Sequence, residues 1–304
     1  MTEIHVSCAV EGPYLRHSAA MLHSVLTRGG ADTVHVHYLH PPGLDARDAR
    51  RLSAMIARLG GATTFIEVPD ERCRDLPTRG FTGKATWYKI FLPDLLPALL
   101  DRVLHLDADL IVDDSLVPLW ETPLDQRYVA AVTNVLPPFY RHRAREVGLA
   151  HERDYFNAGV MLMNLRQMRM DGCSQALFRY GVDHASELVL RDQDALNAVL
   201  GRRRAPLHPR WNCMNSLLVY PEGAKLLGVE AVREARRRPA IRHFEGPGDN
   251  KPWHLMCRQP ERHLYRAHRR RTPWPRYLPD GFTISNVSRR VSGAIRAQRR
   301  TISA

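Results

Sequence analysis

Two aspartates one residue apart close an apolar run, RVLHLDADLIVDDSLVPLW over residues 102–120, and no other stretch of the chain points so directly to chemistry. In an extended backbone alternate side chains point the same way, so Asp107 and Asp109 are expected to share one small volume while Ala108 turns away. Paired carboxylates repel each other at neutral pH unless a proton or a cation neutralises them. A divalent ion does so and still leaves room for phosphate oxygens. A solvated acidic turn is the plain alternative. Against it, Val103, Leu104, Leu106, Leu110 and Ile111 bracket the pair and set it at the edge of a core.

Such a pair needs a scaffold, and the first half of the chain supplies one. Residues 4–10 read as a strand, 18–27 as a helix, 33–39 as a strand, 45–59 as a helix and 63–68 as a third strand. Alternating strand and helix patterns predict βαβ units and a mainly parallel sheet. Ligands of such sheets gather beyond the carboxyl ends of the strands. Glu11, just past the first strand, is expected to meet Asp107 there. Loops are marked by PPG at 41–43 and GPG at 246–248, and no internal repeat is visible.

Composition sets the outer limits. With 304 residues and 44% hydrophobic content, the chain can bury a substantial core, which excludes disorder over most of its length. Neither a secretory leader nor an apolar run of membrane-spanning length is found, so a cytoplasmic protein is expected. The five cysteines are scattered without a C-x-x-C pair, which argues for reduced thiols rather than a disulfide framework or zinc site. The net charge of +12 is uneven: residues 233–304 hold 18 of the 44 Lys and Arg but only 5 of the 32 acids. A basic tail on a near-neutral body suggests an anionic surface as partner. Phe282, Ile284, Val287, Val291 and Ile295 fall near one helical face, with Arg289, Arg290, Arg296, Arg299 and Arg300 around them. That pattern favours a membrane over nucleic acid, with Trp274, Tyr277 and Phe282 at headgroup level.

Four further blocks follow the aspartate pair: YFNAGVMLMNL (155–165), RDQDALNAVL (191–200), PRWNCM (209–214) and IRHFEGPGDNKPWH (241–254). In this order and spacing the chain resembles the retaining glycosyltransferases of family 8, which include glycogenin and bacterial lipooligosaccharide α-galactosyltransferases. The similarity runs from about residue 4 to about residue 253. It implies a GT-A fold, a Rossmann-like mixed, mainly parallel sheet flanked by helices, with a UDP-sugar donor and Mn²⁺, for which Mg²⁺ is the substitute. Residues 1–258 then form the catalytic domain, and 259–304 a basic, aromatic segment for membrane association.

The resemblance also implies a site. His243 would be the third metal ligand beside Asp107 and Asp109, from a block in which Phe244, Gly246, Lys251, Pro252 and Trp253 match. The loop between Gly246 and Lys251 is longer than in the galactosyltransferases. A site of two carboxylates and an imidazole suits Mn²⁺ better than zinc or calcium. Lys251 would add positive charge at the diphosphate. Ala9, Glu11 and Tyr14 would line the uracil and ribose, with EGPY standing where the family has a D-x-N-Y-like turn, and Ala108 would face the ribose. Lys89 replaces the arginine of many relatives, which keeps the charge but not bidentate geometry. Asn157, Ala158 and Gly159 would approach the sugar, and Gly159 would let the strand pass close to the ligand. Asn134 stands where relatives often carry an aspartate. Asp192 and Gln193 complete the sugar site, whereas Asp194, Leu196 and Asn197 are expected to cap or pack their helix.

Together these features predict transfer of a hexose from a UDP-sugar to an acceptor hydroxyl with retention. Gln193, a neutral amide and poor nucleophile, stands nearest the anomeric carbon in the resemblance. Same-face attack is therefore preferred to a double displacement through Asp192. The acceptor, a saccharide, lipid-linked or natural-product scaffold, would be read by loops at 137–153 and 215–230. A nucleotidyltransferase of related fold is the alternative, although no Gly-rich phosphate loop lies between residues 10 and 20. A basic nucleic-acid-binding module without catalysis is disfavoured by the retained acids, and no nucleic acid is expected as partner. A phosphatase of the haloacid-dehalogenase type is disfavoured by the mid-chain position of the pair. Peripheral association at the inner face of the membrane would fit the basic tail.

Overall fold

A computed structural model of the chain describes residues 2–78 and 83–292. Its first unit follows the predicted alternation: β1 (Glu3–Ala9), the helix α1 (Tyr14–Arg28), β2 (Thr33–His40), the helix α2 (Ala46–Arg58) and β3 (Ala62–Glu67). α1 starts four residues before the predicted helix because Gly12, at φ +53°, turns the chain and Pro13 follows with a helical φ of −62°. α2 starts where Asp45 caps it, its carboxylate accepting from the Asp48 amide at 2.8 Å.

The remaining strands are β4 (Arg102–Leu106), β5 (Leu110–Val112), β6 (Val129–Thr133), β7 (Phe156–Asn164), β8 (Arg204–Pro206), β9 (Cys213–Met214) and β10 (Ile241–His243). Seven of them form one sheet in the order β3-β2-β1-β4-β7-β6-β8. Within it β7 runs antiparallel to both neighbours, and the other pairings are parallel. This is the mixed, mainly parallel sheet that the motifs implied. Both faces are covered. Leu104 and Leu106 of β4 and Val160 and Leu162 of β7 enter one apolar core, and Val103, Met161 and Met163 enter the other. Strands buried on both sides read as continuous apolar runs, as β4 and β7 do.

The second sheet places the site. Its order is β5-β10-β9, with β10 antiparallel to β5 so that His243 lies opposite Leu110. The chain leaves the large sheet at Leu106 and enters the small one at Leu110, turning at Ala108 and Asp109 between them. Asp107 and Asp109 therefore converge for a reason other than strand alternation: they flank a turn between two sheets. Backbone bonds hold the junction, from the Asp107 amide to the Gly159 carbonyl and from the Phe244 amide to the Asp109 carbonyl, both 2.9 Å.

Beyond residue 258 the chain packs back on this body. The helix Arg262–Arg269 lies against α1, where Nδ1 of His17 meets the Tyr265 hydroxyl at 2.7 Å. Arg242 donates to Glu261 at 2.8 Å, and the Trp253 indole donates to Asp280 at 3.0 Å. Trp274 was expected at headgroup level but is 6% exposed, inside the core that holds α1 and α2, with the Arg51 guanidinium 5.1 Å from its ring. Tyr277 likewise packs beside Trp253 and Tyr265. The body's main apolar core claims the first ring and its aromatic cluster the second. Phe282, Ile284 and Val291 remain exposed and Val287 is half-buried, the chain being helical over 284–292. Ile295, Arg296, Arg299 and Arg300 lie outside the described residues.

Candidate active site

At the end of β4, the start of β5 and the end of β10, one ligand atom each from Asp107, Asp109 and His243 lies within 4.8 Å of the others. Nε2 of His243 is 3.2 Å from Oδ1 of Asp109, and its Nδ1 is 2.9 Å from Oδ1 of Asn212. The orientation of that imidazole can be read from its neighbours. The Gly159 amide donates to Oδ1 of Asn157 at 3.0 Å, so this oxygen also accepts from Nδ2 of Asn212 at 2.8 Å. Oδ1 of Asn212 then faces the imidazole and must accept from Nδ1–H. Nε2 is left pointing at Asp109, the orientation a metal-ligating histidine needs. Burial alone would lower the His243 pKa, but Asp109, with Asp107 behind it, raises it instead. Two carboxylates and one oriented imidazole in so small a volume fit a divalent cation.

Gly159 is the close approach in this arrangement. A Cβ built there would lie 2.3 Å from Cε1 of His243 and 3.0 Å from Oδ2 of Asp107. The absence of a side chain at Gly159 is what lets the strand pass this close to His243 and Asp107.

Two lysines balance the acids. Lys89, on the helical turn Lys84–Phe91, is 4% exposed and donates to Asp107 at 3.0 Å. It also lies 3.3 Å from Asp192 and 3.5 Å from the Ala158 carbonyl. Burial would raise the Asp107 carboxyl, yet Lys89 and His105 hold it well below the usual carboxylate range. For Asp192 burial wins over Lys89 and moves its pKa up. Lys251 donates to Asp109 and to the Phe244 carbonyl. Against the burial that would raise it, Lys251 and His243 hold the Asp109 carboxyl at about 2.

Gln193 is the second residue of the helix Asp192–Leu200, and its Oε1 accepts from the Ala158 amide at 3.1 Å and from Asn157 at 3.2 Å. Its Nε2 faces the Tyr155 hydroxyl at 3.4 Å, and Tyr155 donates to Asp194 at 2.6 Å. Asp194 also accepts from Arg143 and from the amides of Val189 and Leu190. Asn197 closes on both backbone groups of Phe156. These two residues pack the helix, as expected.

Glu11 accepts from the Ala85 amide at 3.3 Å. Tyr14 stands edge-on to Trp253, ring centroids 5.4 Å apart. Ala9 ends β1, Ala108 is 8% exposed, and Asn134 is buried with its amide on the Tyr155 carbonyl at 2.8 Å. Gly246 takes a φ of +88°, and Nδ2 of Asn250 lies 2.9 Å from where its Cβ would be.

A model of glycosyl transferase family 8 matches residues 5–257. The chain belongs to this family. General stress protein A of Bacillus subtilis is 30% identical over 273 residues, covering 88% of this chain and 93% of that protein. Lipopolysaccharide 1,3-galactosyltransferase of Salmonella typhimurium is 26% identical over 237 residues, covering 76% and 67%. Among solved structures, galactosyltransferase LgtC with donor and acceptor sugar analogues superposes with a TM-score of 0.78 at 23% identity, covering 91% of this chain and 98% of that one. The family-8 chain thus has the GT-A fold and is a retaining, UDP-sugar-dependent glycosyltransferase, which sets aside the nucleotidyltransferase alternative.

Some residues of this family-8 site were not singled out from sequence. Asn212, inside PRWNCM, orients His243; Glu245 accepts from the Ser216 amide at 2.8 Å and faces Asn157; His105 touches Asp107 at 3.3 Å. Asn212 and Glu245 lay within quoted blocks, which was the available signal. His105 lies in the run that carries the aspartate pair, but nothing set it apart from the other histidines among fifteen. Among the described residues, no helix is long and apolar enough to cross a membrane.

Proposed function

We propose that this glycosyltransferase moves a hexose from UDP to a saccharide hydroxyl and that Asp107, Asp109 and His243 hold Mn²⁺, or Mg²⁺ in its place, for that step. The observation that carries this is the convergence of those three ligand atoms within 4.8 Å, with the histidine oriented by Asn212. A divalent ion there supplies a Lewis acid for the diphosphate leaving group. Lys251 adds a cation at the same edge. Ala9, Glu11, Tyr14 and Ala108 line the nucleotide, and Asn134, Asn157, Ala158, Gly159, Gly246 and Lys89 surround the sugar and its phosphates.

Gln193 is held by fixed donors at its oxygen, which supports a positioned amide beside the anomeric carbon. Asp192 is engaged by Lys89 at 3.3 Å, which makes it a poor free nucleophile. Same-face attack with the leaving phosphate taking the acceptor proton is therefore preferred to double displacement, and a glycosyl adduct trapped on Asp192 would reverse that preference. The acceptor is a saccharide, lipid-linked or natural-product hydroxyl bound by the loops at 137–153 and 215–230. Exposed Phe282, Ile284 and Val291, near Arg289 and Arg290, support an anionic membrane partner and a cytoplasmic, peripheral location. Truncation after Asp280 should weaken binding to anionic liposomes; unchanged binding would remove that part. The donor test is a panel of UDP-hexoses with Mn²⁺, scored by UDP release without acceptor. One hexose should dominate, and release with none of them would contradict the proposal.

A further inference from the structure

Toward the starts of β1 and β2, on the sheet face that also carries Ser7, three imidazoles stand together outside the active site. His35 and His37 are two residues apart on β2 and so share a face, and register pairs His35 with His5 of β1. Nδ1 of His5 lies 3.0 Å from Nε2 of His37. The rings of His35 and His37 stack with centroids 4.6 Å apart, and His5 and His35 are 5.3 Å apart. One ring nitrogen of each lies within 4.8 Å of the other two.

We propose that His5, His35 and His37 form a second metal site, selective for a borderline divalent ion such as Zn²⁺, which ties the starts of β1 and β2 together. Imidazole-only donors favour Zn²⁺, Ni²⁺ and Cu²⁺, whereas Mn²⁺, Mg²⁺ and Ca²⁺ prefer oxygen, so this site and the carboxylate-rich one select different ions. Tetrahedral Zn²⁺ with bonds of about 2.0–2.1 Å sets its ligand nitrogens roughly 3.3 Å apart, close to the His5–His37 spacing. On binding, the ion replaces the proton shared by those two rings, and the His35 ring turns out of its stack. The fourth position is left to water, while the Glu3 carboxylate, 3.8 Å from Nε2 of His5, faces the nitrogen of that ring that does not bind the ion.

The surroundings suit such a site. His5 and His35 are half-buried and give a path from solvent, while His37 is 2% exposed. Nδ1 of His37 is buried with no hydrogen-bond partner among the described residues. Nε2 of His35 meets the Thr64 hydroxyl of β3 at 2.8 Å, an outer contact of the kind that orients a ligating ring.

The test uses full-length protein stripped with EDTA and carrying Asp109→Asn, which disables the carboxylate site. Calorimetric titration should show one equivalent of Zn²⁺ and a rise in Tm on its addition, and Co²⁺ should give a visible d–d band. Adding His35→Gln or His5→Gln, both at half-exposed positions, should remove that equivalent and the Tm rise. Histidine labelling with diethyl pyrocarbonate, read by peptide mass spectrometry, needs no substitution in the triad: Zn²⁺ should protect His5 and His35. The assignment is overturned if the Asp109→Asn protein takes up no Zn²⁺, if the equivalent survives in either Gln variant, or if labelling of both histidines is unchanged by Zn²⁺.

Discussion

Replacing Gly159 by alanine adds one methyl group at the point where β7 passes the side chains proposed to hold the metal. That methyl would lie 2.3 Å from Cε1 of His243, while ordinary contacts begin at 3.4 Å, so the ring must withdraw by about 1.1 Å. It has little freedom to do so, because Asn212 holds one nitrogen at 2.9 Å and Asp109 faces the other at 3.2 Å. A misplacement of about 1 Å in a catalytic constellation lowers the rate about 10²-fold. At about 1.36 kcal/mol per factor of ten this is about 2.7 kcal/mol of lost transition-state stabilisation. Overpacking in the fold itself costs about 1–3 kcal/mol, or roughly 2–4 °C in Tm per kcal/mol for a domain of this size class. The assay is UDP release at saturating Mn²⁺, with Mn²⁺ affinity titrated in parallel and the melting curve as a folding control. A folded Gly159→Ala protein with about 10²-fold lower turnover and weakened Mn²⁺ binding is the expected result. Wild-type turnover and metal affinity would refute the steric reasoning.

Asn212→Ala should weaken Mn²⁺ binding about 10–100-fold, since it frees the imidazole to rotate; calorimetric titration checks this. Lys89→Met leaves Asp107 and Asp192 without their shared cation, and breaking such a buried pair costs about 3–5 kcal/mol. The variant should melt markedly lower and release no UDP. Mn²⁺ affinity should rise with pH through a midpoint above 6.5, because Asp109 raises the His243 pKa and the ion must displace that proton; titrations at pH 6, 7 and 8 would show no trend if His243 were not a ligand. In the metal-free protein Asp109, depressed to about 2 from 3.8, contributes stability that is present above pH 3.8 and lost as pH falls through 2. The acid limb of the melting profile of Asp109→Asn should be flatter than that of the wild type.

The aspartate pair was legible because apolar residues bracket it, and the βαβ order because strand and helix periods differ. His243 was legible only through the block around it, since a histidine alone carries no address. The turn at Ala108 was not legible: a strand that ends in one sheet and resumes in another reads as one apolar run. Gly159 was marked as a close approach, but which atoms approach depends on β10 returning beside β5 from 130 residues downstream, and long-range pairing of that kind leaves no local pattern. Lys89 reads equally as solvated or buried, and only Asp107 and Asp192 meeting its ammonium decide between them. Trp274 misled for the same reason in reverse: a basic, aromatic tail resembles a membrane anchor until the body offers a surface that buries the ring.

The metal centre is tested most directly by anomalous scattering at the manganese edge from crystals soaked with UDP and Mn²⁺. A single peak bonded to carboxylate oxygens of Asp107 and Asp109 and to Nε2 of His243, with Nδ1 still on Asn212, is the expected result. No peak at that junction, or a peak from which His243 has turned away, would contradict it.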